Sequence, residues 1–109
     1  ADANPYLALA ATLGAGLLGM EEKILPSSPT DNNAYLLKLD KDMQTPQNLN
    51  EASTLFKNSK AAKKLFGNQF VNHYCATRDW EYQQFKRSKK PFNNKKISNW
   101  ELNRYFEII

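Results

Sequence analysis

From Tyr6 to Met20 the chain carries no charge, and Thr12 is its one clearly polar side chain. Asn4-Pro5 in front of this run is a helix-start pair: an Asn side chain accepts from an orphan helical N–H, and Pro loses nothing at the first helical position. A helix from Pro5 to Met20 is predicted, with Leu and Ala supplying propensity against the cost of its glycines. Such a helix is apolar on every side and needs burial on every side, yet the remaining residues are mostly polar. The run Asp2-Ala3-Asn4-Pro5-Tyr6-Leu7 also reads as the middle of a motif, without an initiator Met. The expectation is a mainly α chain whose first helix leans on protein beyond these residues.

The size of the chain, 109 residues, allows one domain with a modest core, expected as a single helical segment over 1–109. One Cys excludes an internal disulfide framework and fits a reducing cytoplasm. The first helix is short of the roughly 20 apolar residues of a membrane span, and no basic stretch precedes it as in a signal peptide. Charge is split. Residues 1–56 balance at −4 and residues 57–109 at +8, a pattern that suits either a nucleic-acid partner or an acidic complement elsewhere in a larger protein.

Beyond Glu21, Pro26, Ser27, Ser28, Pro29 and Asp31 to Asn33 mark a loop, in which Tyr35-Leu36-Leu37 with Leu39 suits a short extended piece. Asn48 and Glu51 form a capping box for a helix holding Leu49, Ala52, Leu55 and Phe56. Ser59 caps a further short helix, and Gly67 reads as its left-handed stop. The longest amphipathic element is predicted from Asn68 to Lys86. Val71, Tyr74, Cys75, Arg78, Tyr82 and Phe85 recur there at helical steps, joined by Phe70 and Trp80 on one broad packed face. A basic loop comes next, from Ser88 to Ile97, and Ser98 with Glu101 opens the last helix. Trp100, Tyr105, Phe106, Ile108 and Ile109 make that terminus unusually apolar for a chain end. Trp80-Glu81 is echoed by Trp100-Glu101, each with an aromatic four residues after the Glu.

Four patterns invite chemistry. Gly14-Ala15-Gly16-Leu17-Leu18-Gly19 matches the Gly-x-Gly-x-x-Gly dinucleotide pattern, but it lies late in a helix and not at a strand-to-helix turn, so packing is the preferred reading. His73 and Cys75 are two apart and point to different faces of a helix, which argues against a catalytic pair. Cys75 is expected in the core and His73 at the surface. Adjacent Glu21 and Glu22 diverge by about 100° on a helix instead of converging on an ion. Lys86, Arg87, Lys89, Lys90, Lys95 and Lys96 surround a single aromatic, Phe92, without a nucleic-acid fold signature, so a solvated basic loop is preferred to nucleic-acid binding.

The motifs at both ends carry a resemblance. Asp2-Ala3-Asn4-Pro5-Tyr6-Leu7-Ala8-Leu9-Ala10-Ala11, with Gly19-Met20-Glu21 and the Pro-containing loop after it, resembles the C-terminal part of the catalytic domain of the glutamine synthetase family. Asn48-Leu49-Asn50-Glu51-Ala52, Leu65-Phe66-Gly67-Asn68-Gln69-Phe70-Val71 and Ser98-Asn99-Trp100-Glu101-Leu102-Asn103-Arg104-Tyr105-Phe106-Glu107 resemble, in order, its later helices. Phe70-Val71-Asn72-His73-Tyr74 and the Trp100 tail are closer to the glutamate–amine ligase branch.

The resemblance implies the helical C-terminal portion of an α+β catalytic domain. It also implies a parent enzyme that activates glutamate as a γ-glutamyl phosphate with ATP and Mg or Mn, before ammonia or an amine attacks. The family's metal ligands, its phosphate- and glutamate-binding arginines and its ammonium-site Asp match positions upstream of Ala1. No catalytic, cofactor or metal residue is therefore expected in this chain, and the chain alone is expected to be inactive. Tyr35 lies where some bacterial members carry an adenylylated tyrosine, although Leu36-Leu37-Lys38-Leu39 replaces the usual Asp-Leu-Pro-Pro. In bacterial members the last helix inserts into a facing subunit, which makes Trp100, Tyr105, Phe106, Ile108 and Ile109 candidate subunit contacts of a homo-oligomer. The implied partners are the rest of the catalytic domain and further copies, with no membrane. The rival reading is a free-standing helical interaction module that binds protein or nucleic acid.

Overall fold

The computed structural model describes residues 3–29, 33–38, 40, 43–88 and 96–106. Among them the chain is mainly helical and contains no strand. It divides into two compact units, 1–44 and 45–109.

The first unit is built on α1, Pro5–Glu21. Asn4 Oδ1 accepts from the backbone N–H of Tyr6 at 3.0 Å and of Leu7 at 3.1 Å, so the predicted cap is present. The helix closes one residue later than expected. Ile24 N–H donates to Gly19 O at 2.9 Å and Lys23 N–H to Met20 O at 3.2 Å, the paired bonds of a Schellman ending. This ending puts Lys23 at φ 53, where a glycine is the usual occupant. Leu18 is buried, but Tyr6, Leu9, Leu13, Leu17 and Met20 are each more than 60 % exposed. The all-round burial that α1 needs is not supplied within this unit, because the described residues after it form loop and short 3₁₀ turns such as Ala34–Leu36, with no second α-helix to pack on it. The same turn replaces the extended piece expected around Tyr35. Asn33 supplies its start, accepting the Tyr35 N–H on Oδ1 at 3.0 Å. Leu39 lies outside the described residues.

The second unit pairs α2, Leu49–Asn58, with α3, Lys60–Arg87. Asn48 Oδ1 accepts the Glu51 N–H at 3.0 Å, and Glu51 reaches back to Gln47 N–H at 2.9 Å and Asn48 Nδ2 at 2.7 Å. Ser59 alone joins the helices, ending α2 and capping α3 through Ala62 N–H at 3.1 Å.

Inside α3 the backbone breaks at Gly67, with φ 79 and ψ 154. This confirms the predicted interruption between a short helix and a long one. The ψ value is extended, not left-handed helical, and the combination is almost confined to glycine. The break brings aromatic rings from three segments together. Phe56 of α2 lies 6.0 Å from Phe66, before the break, and 5.7 Å from Tyr74, after it. Phe70 completes the circuit at 5.4 Å from Phe66 and 5.8 Å from Tyr74. Beneath these rings Ala62, Val71 and Cys75 form the core.

Cys75 is buried, as expected, and its thiol donates to Ser53 O at 3.6 Å. Ser53, also buried, donates its hydroxyl to Asp79 at 2.7 Å. Each buried polar group on this side of α2 is thereby satisfied, as burial requires. His73 is exposed. Trp80 departs from expectation. It is 54 % exposed, because five residues beyond Cys75 it stands about 140° round the helix from the core seam.

Two glycines should respond oppositely to alanine. Gly67→Ala forces a side chain into a positive-φ conformation and is expected to lower the chain's stability by about 1–3 kcal/mol, although the space beside it is open. Gly16, helical and also without a neighbour within 4 Å, should gain about 0.5–1 kcal/mol as Ala. Denaturant unfolding of the two variants followed by circular dichroism checks both signs.

Candidate functional site

The polar centre of the second unit is built on Glu81, one helical turn before Phe85 on α3 and buried at 9 % exposure. A carboxylate at such a depth is costly unless it is paired and hydrogen-bonded. Its partners come from α4, Asn99–Tyr105. Arg104 grips it with two donors, Nε to Oε1 at 2.8 Å and Nη2 to Oε2 at 3.1 Å, the forked geometry in which guanidinium and carboxylate match best. The Tyr105 hydroxyl donates to the same Oε1.

A helix of seven residues is marginal in water by itself, so these contacts matter for its existence. Its start is the predicted capping box. Ser98 Oγ accepts the Glu101 N–H at 3.3 Å, and Glu101 accepts the Ser98 N–H at 2.6 Å. Trp100 meets Phe85 edge to face at 5.3 Å and Tyr105 at 5.9 Å, while the Arg104 guanidinium lies 5.4 Å over the exposed Trp80 ring.

The two echoed segments of the sequence therefore pack on each other. Trp80 meets Arg104, Glu81 meets Arg104 and Tyr105, and Phe85 meets Trp100. Sequence reasoning missed this brace around Glu81, although the echo was the signal that pointed to it.

The electrostatics make the brace a poor acid–base machine. The Arg104 hydrogen bond, opposed by burial and helped by Tyr105, holds the Glu81 carboxyl below its ordinary value of 4.5. A general base working near neutral pH needs the opposite shift. Burial, then the bond to Glu81, pushes the Tyr105 phenol up to about 12, so it stays protonated. The arrangement fixes α4 on α3.

The other candidates are scattered. Trp100 and Tyr105 belong to this brace, Phe106 is 77 % exposed just past α4, and Ile108 and Ile109 lie outside the described residues. Tyr35 is 97 % exposed. Gly14 to Gly19 lie inside α1, not at a turn. No group of three or more His, Cys, Asp or Glu that could hold a metal forms among the described residues. In the basic stretch Lys86 sits 5.5 Å over the Tyr82 ring, while Lys89, Lys90 and Lys95 lie outside the described residues.

The brace gives stability two limbs of pH dependence. Glu81 has its folded value lowered, so its contribution is present above the unfolded carboxylate value and is lost as pH falls below about 4.5. Tyr105 has its folded value raised, so its contribution holds below about 10 and is lost as pH rises toward about 12. Glu81→Gln should lower the melting temperature at neutral pH, flatten the acid limb and bring the last phenol ionisation down. Thermal melts across pH and an alkaline ultraviolet titration read these effects.

Comparison with known proteins agrees with the motifs. The family described as "Glutamine synthetase, catalytic domain" matches residues 1–105. The chain is 39 % identical over its whole length to a glutamate–isopropylamine ligase of Pseudomonas sp, covering 22 % of that protein. It is 41 % identical over 99 % of its length to a type-1 glutamine synthetase of Dictyostelium discoideum, covering 20 % of it. It is also 36 % identical over 97 % of its length to a gamma-glutamylethanolamide synthetase of Streptomyces coelicolor, covering 21 %. The chain thus spans about a fifth of the length of these relatives. No solved structure matches it. With motifs, helices and family match in agreement over residues 1–105, the chain belongs to the glutamine synthetase family and corresponds to the C-terminal part of its catalytic domain.

Proposed function

We propose that this chain is the structural and subunit-contact segment of an ATP-dependent glutamate–ammonia or glutamate–amine ligase, whose reacting groups lie in the larger remainder of the parent protein. The observation that carries the reading is the apolar face of α1. Tyr6, Leu9, Leu13, Leu17 and Met20 stand exposed on a helix within the family match, and apolar area in water costs about 25 cal/mol per Å². The remainder of the catalytic domain is the partner that covers it. Relatives named for isopropylamine and for gamma-glutamylethanolamide support an amine as the acceptor alongside ammonia.

ATP and magnesium or manganese belong to this reading as groups of the parent enzyme. The described residues do not fit them. Glu21 and Glu22 belong to no group of three or more His, Cys, Asp or Glu among the described residues, and the glycines of α1 have no turn in which to cradle phosphate. No chemical step is assigned to this chain. No helix among the described residues is long and apolar enough to cross a membrane, and the proposal puts the parent enzyme in the cytoplasm.

At the other end, Trp100 and Tyr105 already spend part of their surface on Phe85 and Glu81. Phe106, 77 % exposed, with Ile108 and Ile109 after it in sequence, is left to carry the contact between subunits.

The parent protein should form γ-glutamyl amides from glutamate, ATP and ammonia, isopropylamine or ethanolamine, and the 109-residue chain should form none. Turnover by the chain alone defeats the proposal, and so does a parent protein inactive with every amine and with ammonia. Gly16→Ala, stabilising in the chain, should destabilise the parent if a neighbour packs closely on α1. Ending the parent after Tyr105, which keeps the Glu81 brace, should shift its sedimentation toward smaller assemblies.

A further inference from the structure

The N-terminus of α2, the last turns of α3 and α4 enclose a groove of about 190 Å³, lined by Asn48, Leu49, Glu81, Tyr82, Phe85, Trp100, Glu101 and Tyr105. Its composition is specific. Among the described residues that line it, four of eight are aromatic, both charged ones are carboxylates, and none is a cation. Aromatic faces carry negative potential and attract cations, and cages of such rings are how quaternary ammonium groups are recognised. The adjoining surface shows the same preference, with Lys86 over Tyr82 and Arg104 over Trp80.

Size and charge narrow the occupant. Pockets for drug-sized ligands run to about 300–1,000 Å³, so this groove suits something smaller than a nucleotide. The Glu101 carboxylate also repels phosphate. Glu81 is neutralised by Arg104, which leaves Glu101 as the net negative charge among the described lining residues. Glu101 gives one oxygen to the Ser98 N–H, and a carboxylate has about four acceptor sites. Its capacity to meet a second donor remains.

We propose that this groove is a binding site for a compact organic ammonium ion, held by the rings of Tyr82, Phe85, Trp100 and Tyr105 and by the Glu101 carboxylate. The apolar substituents of the ion lie against Leu49 and the rings, and its charge lies toward Glu101. The site rests on the geometry of α2, α3 and α4 and stands whether or not the parent is an amine ligase.

Three soluble probes of nearly one shape separate the forces: tert-butylammonium, neutral tert-butanol and anionic pivalate. Added to the chain, tert-butylammonium should shift the Trp100 indole N–H resonance saturably, with a dissociation constant on the order of 1 mM. The other two should not saturate. Glu101→Gln keeps the capping box, since Gln serves at that position, and should weaken tert-butylammonium about 2- to 5-fold. Phe85→Leu keeps apolar bulk, removes a ring and should weaken it by a similar factor. Equal saturation by tert-butanol overturns the proposal in favour of a plain apolar patch, and saturation by pivalate overturns its charge logic. A Trp100 resonance that moves on dilution of the chain without any probe makes a second copy the occupant and overturns it too.

Discussion

A link of one residue governs the second unit. Ser59 ends α2 and starts α3, so the two helices have no slack with which to choose a relative placement. Their packed faces must agree with that constraint. They do so because Gly67 adopts φ 79 and ψ 154, which redirects α3 after its first turns. The rings of Phe66, Phe70 and Tyr74 can then close on Phe56, and Val71 and Cys75 can sink beneath them. Without that backbone freedom the short helix after Ser59 would run straight on. The circuit of four rings, each pair worth about 0.5–1.5 kcal/mol beyond its area, would not close.

Local rules were legible wherever the signal was itself local. Asn4, Asn48, Ser59 and Ser98 each cap the helix that the sequence assigns them, because a cap is decided by a side chain and an N–H two or three residues away. Gly67 was legible for the same reason. Lys23 was not, since its positive φ belongs to a Schellman ending that usually advertises itself with glycine. Trp80 was misplaced by grouping residues of one helix too generously onto one face. Tyr35 was read as extended from its apolar neighbours, while the competing turn signal from Asn33 won.

The site around Glu81 was hidden for a different reason. A Glu in an amphipathic helix looks like a solvated charge, and Arg104 looks like any cation near a helix end. Only their meeting, 23 residues apart, turns both into structure. The echo of Trp-Glu with a later aromatic was visible in the chain, but an echo has meaning only when its halves touch. Family membership was legible from the motifs, and the fold came with it. The groove beside Glu81 was not, because its walls come from three helices.

The brace also sets the order in which this unit comes apart. The contacts described for α4 fall on the final turns of α3 and are made by side chains, whereas the α2–α3 core of Ala62, Val71 and Cys75 stands independently of them. Such a piece opens as its own cooperative unit, below the free energy of global unfolding. Amide protons of α4 would then exchange while those around Val71 remain protected. Arg104 and Tyr105 share the one Glu81 carboxylate, so each opening gives up these bonds together, and α4 opens and closes as a whole instead of fraying residue by residue.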